Sequence, residues 1–393
     1  MNFVGELAFI LLASTLAGHL ARRFGLPAVV AEILVGVVAG PALLGWVHPG
    51  GSIKLFSDLG VIVLMFLGGL ESDLGLLKKY LRPAIIVAVS GVIAPVLLGA
   101  VVSRVFGFSW FEASFIGVIF SATSVSISVE VLKEYGALGT REGATILGAA
   151  VADDIIGVIL LSIMIALMGN SDAGATAPPL WATLLEQVLF FIVCYVVIKW
   201  VAPFLLAVSG RILMTASPII AALSICFLMA WLADFVSLSG AVGAFFAGLA
   251  VAQTPYKHEA VSSIEPIGYA VFIPVFFVSV GLDVNFAGLG DSLPFILVMT
   301  LIGVISKLLG CGFGAQLSGF RGRSNYIIGA GMISRGEMAL ITAQIGFAAH
   351  LLAAEYYSDV ILVIIIVTII APFMLKNALR GSTAQNFVVT NEK

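Results

Sequence analysis

The chain has 393 residues, 61% hydrophobic and only 10% charged, with a formal net charge of −3 and a mean hydropathy of +1.15. A soluble domain carries about 25% charged residues to cover its surface, so a soluble fold is excluded, and nothing in the sequence is basic enough to suggest a nucleic-acid partner. Apolar runs of about 20 residues, the length a helix needs to cross hydrocarbon, recur from end to end, so the chain reads as an all-α polytopic membrane protein.

Breaks at Gly, Pro and charge clusters predict thirteen transmembrane segments, near 4–21, 27–46, 53–71, 81–105, 111–133, 143–169, 180–208, 216–235, 238–253, 265–281, 292–317, 325–349 and 358–379. The first is a span rather than a secretory signal, because Met1–Ala13 has no basic n-region and Arg22–Arg23 follow the run. Some loops hold two or three residues, so consecutive helices run antiparallel. Loops on one side carry Arg22, Arg23, Lys78, Lys79, Arg82, Lys133, Arg141, Arg211, Lys257, Arg321 and Arg323, with Lys376, Arg380 and Lys393 on the tail. The opposite loops carry Lys54 and Arg104. Basic residues favour the cytoplasmic side, which places the N-terminus outside and the C-terminus inside a cell membrane.

Along the chain, segment 2 contains Glu32, close enough to the inner end to be solvated, and the small-residue run VGVVAG (35–40). Segment 3 ends FLGGLESDL (66–74). Segment 5 is interrupted by SATSVSIS (121–128), and segment 6 carries Asp153 and Asp154 as the only charges over 143–169. Segment 9 repeats the small-residue run as VGAFFAG (242–248), and segment 10 ends FVSVGLDVN (277–285). Segment 11 buries Lys307, and segment 12 is interrupted by SRGEM (334–338), bringing Arg335 and Glu337 into the membrane. Cys194, Cys226 and Cys311 all lie in apolar runs and read as packing residues. No Cys/His cluster has metal-ligand spacing, no serine or cysteine sits with a histidine as a nucleophile would, and no cofactor motif is present, so the chain does not read as an enzyme.

The similar stretches in segments 2 and 9, 3 and 10, and 5 and 12 are each seven segments apart. An odd offset makes repeat partners cross the membrane in opposite directions, the pattern of an inverted-topology repeat. Small-residue runs by themselves also suit ordinary close helix packing. At about 1.5 Å per residue, Asp153, Lys307, Thr123 and Arg335 all fall roughly 15 Å from the inner surface. Unwound backbone at that depth must face protein or a water-filled cavity, because lipid leaves its carbonyls and amides unsatisfied. Thr123 and Ser124, with freed carbonyls, offer hard oxygen ligands to a small cation, while Arg335 and Glu337 can compensate the half-helix dipoles. Neighbours on a helix point about 100° apart, so one aspartate can pair with Lys307 while the other holds a cation or a proton. The doublet therefore reads as a proton/cation exchange site whose titration belongs to the group.

On these marks, AEILVGVVAGPALLG (31–45), SATSV (121–125), ADD (152–154), the lysine of ISKLLG (305–310) and SRGE (334–337), nearly the whole chain resembles the monovalent cation:proton antiporter superfamily, and within it the bacterial NapA-type Na+/H+ antiporters. The resemblance implies an NhaA-like fold of about thirteen helices with two broken, crossing helices. It implies one membrane domain over 1–379, in which a dimerisation part is interleaved with a mobile ion-binding core (about 81–169 and 292–379), followed by a short cytosolic tail over 380–393. It further implies homodimers, elevator-like alternating access, and no cofactor beyond the transported Na+ and H+. By this analogy Asp154 is the main cation and proton ligand, Asp153 pairs with Lys307 until a cation disrupts the pair, Thr123 and Ser124 sit at one crossover, and Arg335 and Glu337 at the other. Kef-type K+ systems usually have Asp-Gln at the doublet and a large cytosolic domain, and electroneutral exchangers usually have Asn-Asp. The Asp-Asp doublet favours electrogenic exchange of Na+, and with it Li+.

Other readings compete with this one. The doublet could be a polar clamp between helices, Lys307 a purely structural counter-ion, and Thr123 and Ser124 could bond the preceding turn of a kinked helix. Gly288-Leu289-Gly290-Asp291 matches the GxGD pattern of intramembrane aspartyl proteases, but it is expected in an outer loop, and the Tyr-Asp partner motif is absent from the sequence. A channel fits poorly with broken helices around a charged midplane site. Within transport, K+/H+ or mixed Na+(K+)/H+ exchange and Na+-coupled organic-anion symport remain as alternatives.

Overall fold

A computed structural model describes residues 3–24, 27–168, 180–211, 217–236, 238–284, 289–348, 352 and 354–380. The described residues are helical throughout, with no strand among them, and nine of their helices are long and apolar enough to cross a membrane. In chain order the helices are α1 (Phe3–Arg23), α2 (Ala28–Ala39), α3 (Gly51–Glu71), the short α4 (Leu74–Lys79), α5 (Leu81–Val105), α6 (Trp110–Ile119), α7 (Val125–Glu134) and α8 (Arg141–Met168). They continue as α9 (180–209), α10 (Ser217–Phe235), α11 (Gly240–Ala252), α12 (Lys257–Leu282), α13 (Leu289–Leu317), α14 (Arg323–Gly331), α15 (Gly336–Ala348) and α16 (Ala354–Leu379). The tail expected over 380–393 lies, beyond Arg380, outside the described residues.

Most predicted segments coincide with a helix to within a few residues, and the departures have local causes. Segment 2 is helical only over Ala28–Ala39, because Pro41 drives Gly40 to extended backbone. The chain then folds back, with the amides of Leu44, Trp46 and Val47 reaching the carbonyls of Val38 and Ala39 at 2.9–3.1 Å. Segment 10 starts earlier than expected, at Lys257, and absorbs Pro266 through a widened π-type turn at Gly268–Phe272. A second such turn at Val197–Val201 precedes Pro203 in α9. Ser109 and Glu112 close a capping box on α6, and Asp73 caps α4 through the amides of Gly75 and Leu76. The GxGD aspartate, Asp291, stands in the first turn of α13 rather than in a loop.

Helix packing falls into two sets, α1–α3 with α9–α12, and α5–α8 with α13–α16. Glycines set the closest approaches in the first set. A Cβ added at Gly36 would come within 2.9 Å of Gly281 Cα and overlap the Val278 carbonyl; one at Gly69 would come within 3.0 Å of Gly248 Cα and overlap that of Phe245. Thus α2 crosses α12 and α3 crosses α11. If segments 2 and 3 correspond to 9 and 10, these crossings are the images of one another, which is what an inverted repeat requires. In the second set α5 packs along α13, where Gly91 leaves room for the Lys307 and Cys311 side chains.

Candidate functional site

Two interrupted helices meet in the second set. The α6–α7 break spans residues 120–124 and the α14–α15 break residues 332–335, and they cross backbone to backbone. Ser124 N–H donates to the Ser334 carbonyl at 2.8 Å, and Ser334 Oγ donates back to the Ser124 carbonyl at 2.7 Å. Ser128 Oγ donates to the Gly331 carbonyl and lies 3.2 Å from Ser334 Oγ. These serines satisfy backbone groups that the helix breaks leave open, and all three are buried. Gly336 begins α15 at φ +50°, with its amide donating to Thr368 Oγ1 at 3.1 Å.

Arg335, fully buried, donates to the carbonyl of Ala122 at 3.4 Å and to that of Gly303. It therefore ties its own break to the other one and to α13. One turn further along α13, Lys307 Nζ donates to both Asp153 oxygens, at 3.1 and 3.0 Å, with neither side chain reaching solvent. Residues 303–307 of α13 thus carry contacts to Arg335, through the Gly303 carbonyl, and to Asp153, through Lys307.

Asp154 faces elsewhere. It lines a small cavity of about 20 Å³ with Thr123, Ser124, Ser126, Met65, Val151, Ser239, Ala241, Val242 and Met338. That volume holds about one water-sized body. Thr123 Oγ1 is buried there without a hydrogen-bond partner, a state that costs about 1–3 kcal/mol unless a ligand accounts for it. The Asp154 carboxylate with the hydroxyl residues Thr123, Ser124, Ser126 and Ser239 makes a hard-oxygen set suited to a small cation. Among the described residues no group of three or more His, Cys, Asp or Glu is arranged to hold a metal ion. Of the sequence-predicted residues, Asp154, Thr123 and Ser124 line this cavity, whereas Asp153 pairs with Lys307 and Arg335 bonds the Ala122 and Gly303 carbonyls. Glu337 lies in the first turn of α15, and its side chain is outside what is described.

A second polar cluster was not anticipated from the sequence. Glu130 on α7 is buried and accepts a 2.6 Å hydrogen bond from Tyr269. One turn on, Lys133 pairs with Glu71 at 2.9 Å and Glu265 at 2.8 Å and lies over the Tyr269 ring at 4.8 Å. Glu32, unassigned from the sequence, lies half-buried on α2. The i, i+3 spacing of Glu130 and Lys133 on a half-helix was the available signal.

A larger cavity of about 490 Å³ lies between the first half of α3 (Lys54, Ser57, Asp58, Val61), the end of α12 (Phe276, Ser279, Asp283), and Leu340, Tyr357 and Ile361 of α15 and α16.

The sequence matches the family described as sodium/hydrogen exchanger, transmembrane, over residues 8–381. It is similar to the Na(+)/H(+) antiporter of Enterococcus hirae, at 50% identity over 96% of this chain and 98% of that one. It is also similar to the Na(+)/H(+)-K(+) antiporter GerN of Bacillus cereus, at 44% identity over 95% and 96% of the two chains. Its fold is similar to that of the sodium proton antiporter MjNhaP1 of Methanocaldococcus jannaschii, with a TM-score of 0.66 at 16% identity, covering 100% of this chain and 99% of the other.

Proposed function

The chain belongs to the transmembrane sodium/hydrogen exchanger family, and on that premise we propose that it exchanges Na+ for H+ across the cell membrane by alternating access, with Asp154 as the carboxylate that both ions use. The observation that carries this reading is the cavity in which Asp154 and the unpartnered Thr123 hydroxyl share room for one small ion, beside an Asp153–Lys307 pair already neutralised.

In this reading Asp154 holds either Na+ or a proton. Na+ draws on the hydroxyls of Thr123 and Ser124 and on carbonyls of the break. Protonation of Asp154 removes the charge that holds the cation and lets it leave. Arg335 and Glu337 compensate the dipole ends of the two breaks. A cation entering beside Asp153 weakens its pairing with Lys307. If the lysine then yields its proton, more than one H+ moves per Na+ and the cycle is electrogenic. Each net charge carried gains about 2.3 kcal/mol per 100 mV, enough for voltage to expel Na+ without a pH gradient. Li+ is accepted at the same site.

The architecture that goes with this function has thirteen crossings, N-terminus outside and C-terminus inside, in an inverted repeat with two broken helices. The set α1–α3 and α9–α12 serves as the dimerisation part of a homodimer, and the set α5–α8 and α13–α16 as the moving core. No cofactor is required. A second reading, mixed Na+(K+)/H+ exchange, is favoured by the name of the GerN relative.

The test uses proteoliposomes with an inside-acid pH gradient and a pH-sensitive dye, with Na+, K+ or choline added in turn. Alkalinisation with Na+, lost in Asp154→Asn, is expected. An equal response to K+ would favour the mixed exchanger. No response to any cation from folded protein would contradict exchange and bring back an organic-anion symporter.

A further inference from the structure

The two helix sets touch differently at their two ends. At one end α3 and α12 stand apart from α15 and α16 around the cavity of about 490 Å³. At the other end the same two helices are held against α7. Lys133 reaches Glu71, the last residue of α3, and Glu265 near the start of α12, while Tyr269 of α12 donates to Glu130 of α7. Each of these bonds runs from α7 to α3 or α12, so the cluster does not serve to stabilise α7 alone.

We propose that Lys133, Glu71 and Glu265, backed by Glu130 and Tyr269, form the latch that closes the cytoplasmic side of the transporter, and that opening this side requires Lys133 to part from both carboxylates. The proposal rests on the exchange function and orientation given above, which put this end inside and the cavity outside. Three features set it apart from incidental surface pairing. The ammonium is shared by two carboxylates from two different helices, at 2.9 and 2.8 Å. Its side chain is only 14% exposed, so solvent screens it weakly. It also sits on α7, whose other end carries Ser124 at the ion site, so α7 spans from the latch to the ligands. Parting the latch leaves the lysine and the two carboxylates to be solvated, which a widening aqueous passage at that end supplies. The state shown here, closed by the latch and open at the cavity, is the outward-facing one.

A latch that favours one state makes the binding-competent state on the other side scarce, and lowers apparent affinity there by that fraction. The experiment measures half-saturating Na+ separately on the inner and outer faces, in vesicles of known orientation. For Lys133→Gln the inner-face value is expected to fall by about 5- to 10-fold, the size of a typical coupling between states, while the outer-face value stays the same or rises. Glu71→Gln with Glu265→Gln, which removes the same bonds from the other side, should shift the inner face the same way, and Lys133→Arg should retain the wild-type sidedness. An inner-face value that is unchanged or rises, in whichever variant folds, would overturn the latch. A residue that matters only for packing would weaken both faces together. Wild-type vesicles separate the two failures: no Na+-driven proton movement there would sink the exchange reading, whereas normal wild-type exchange with unshifted sidedness sinks the latch alone.

Discussion

A lysine with no exposed surface keeps its charge only if a partner replaces the water it has lost. Lys307 has one such partner, Asp153, and the pair is sealed from solvent. Removing either member alone leaves a charge uncompensated and is expected to cost about 3–5 kcal/mol. Lys307→Met and Asp153→Asn should therefore each lower the melting temperature in detergent, while the double variant should recover much of the loss. Strictly additive losses would mean that the two groups do not act as a pair. Gly336 makes a separate demand. Its φ of +50° is one that side chains rarely adopt, and an added Cβ would lie 2.6 Å from Ser124 Cβ. Gly336→Ala is expected to cost about 2 kcal/mol or more and to push the crossing breaks apart, abolishing exchange; a melting curve and a proteoliposome assay on the same preparation would check both. At this scale the sequence was informative because a charge or a run of hydroxyls stands out against apolar residues. Which aspartate takes Lys307 was not legible from spacing, since a 100° separation allows either; it came only with the family resemblance. Glu130 gave only its i, i+3 spacing to Lys133 as a sign, and a carboxylate near a helix end reads as solvated until its neighbours are known.

Where α2 meets α12 and α3 meets α11, the helices approach backbone to backbone. Gly36 against Gly281 and Gly69 against Gly248 leave no room for a methyl group. Gly36→Ala and Gly69→Ala should each destabilise by about 1–3 kcal/mol through overpacking. Gly18, where an added Cβ would meet nothing within 4 Å, should accept alanine with no loss. A set of thermal melts on the three variants checks this, and equal losses at all three positions would contradict the packing account. The segment boundaries were legible because Gly, Pro and charge clusters interrupt apolar runs, and the two breaks because hydroxyl-rich and charged sequence interrupts a span. The π-type turns of α9 and α12 were not, since widening a turn to accommodate proline is one of several responses a helix can make. Nor was the fold-back after Ala39, whose hydrogen bonds depend on local geometry beyond the Gly-Pro step.

Across the whole molecule, the two helix sets part at one end around the larger cavity and are tied at the other by Lys133, and the proposed function has one carboxylate serve two ions in turn. The two polar breaks, at 120–124 and 332–335, were readable in the sequence because hydroxyl-rich and charged residues interrupt apolar runs there. The unequal closure of the two ends was not, because it is a property of one conformation and not of the chain. If Asp154 is the shared site, H+ and Na+ must compete. The most direct measurement is the half-saturating Na+ concentration as a function of pH, taken on one face of the membrane in wild-type proteoliposomes. On the acid side of the profile this concentration is expected to rise more steeply as pH falls, approaching about tenfold per pH unit, while the maximal rate at saturating Na+ holds nearly constant, as linkage requires of two ligands for one site. A half-saturating concentration independent of pH, with acid lowering only the maximal rate, would place the proton on a group other than Asp154 and rule out a shared site.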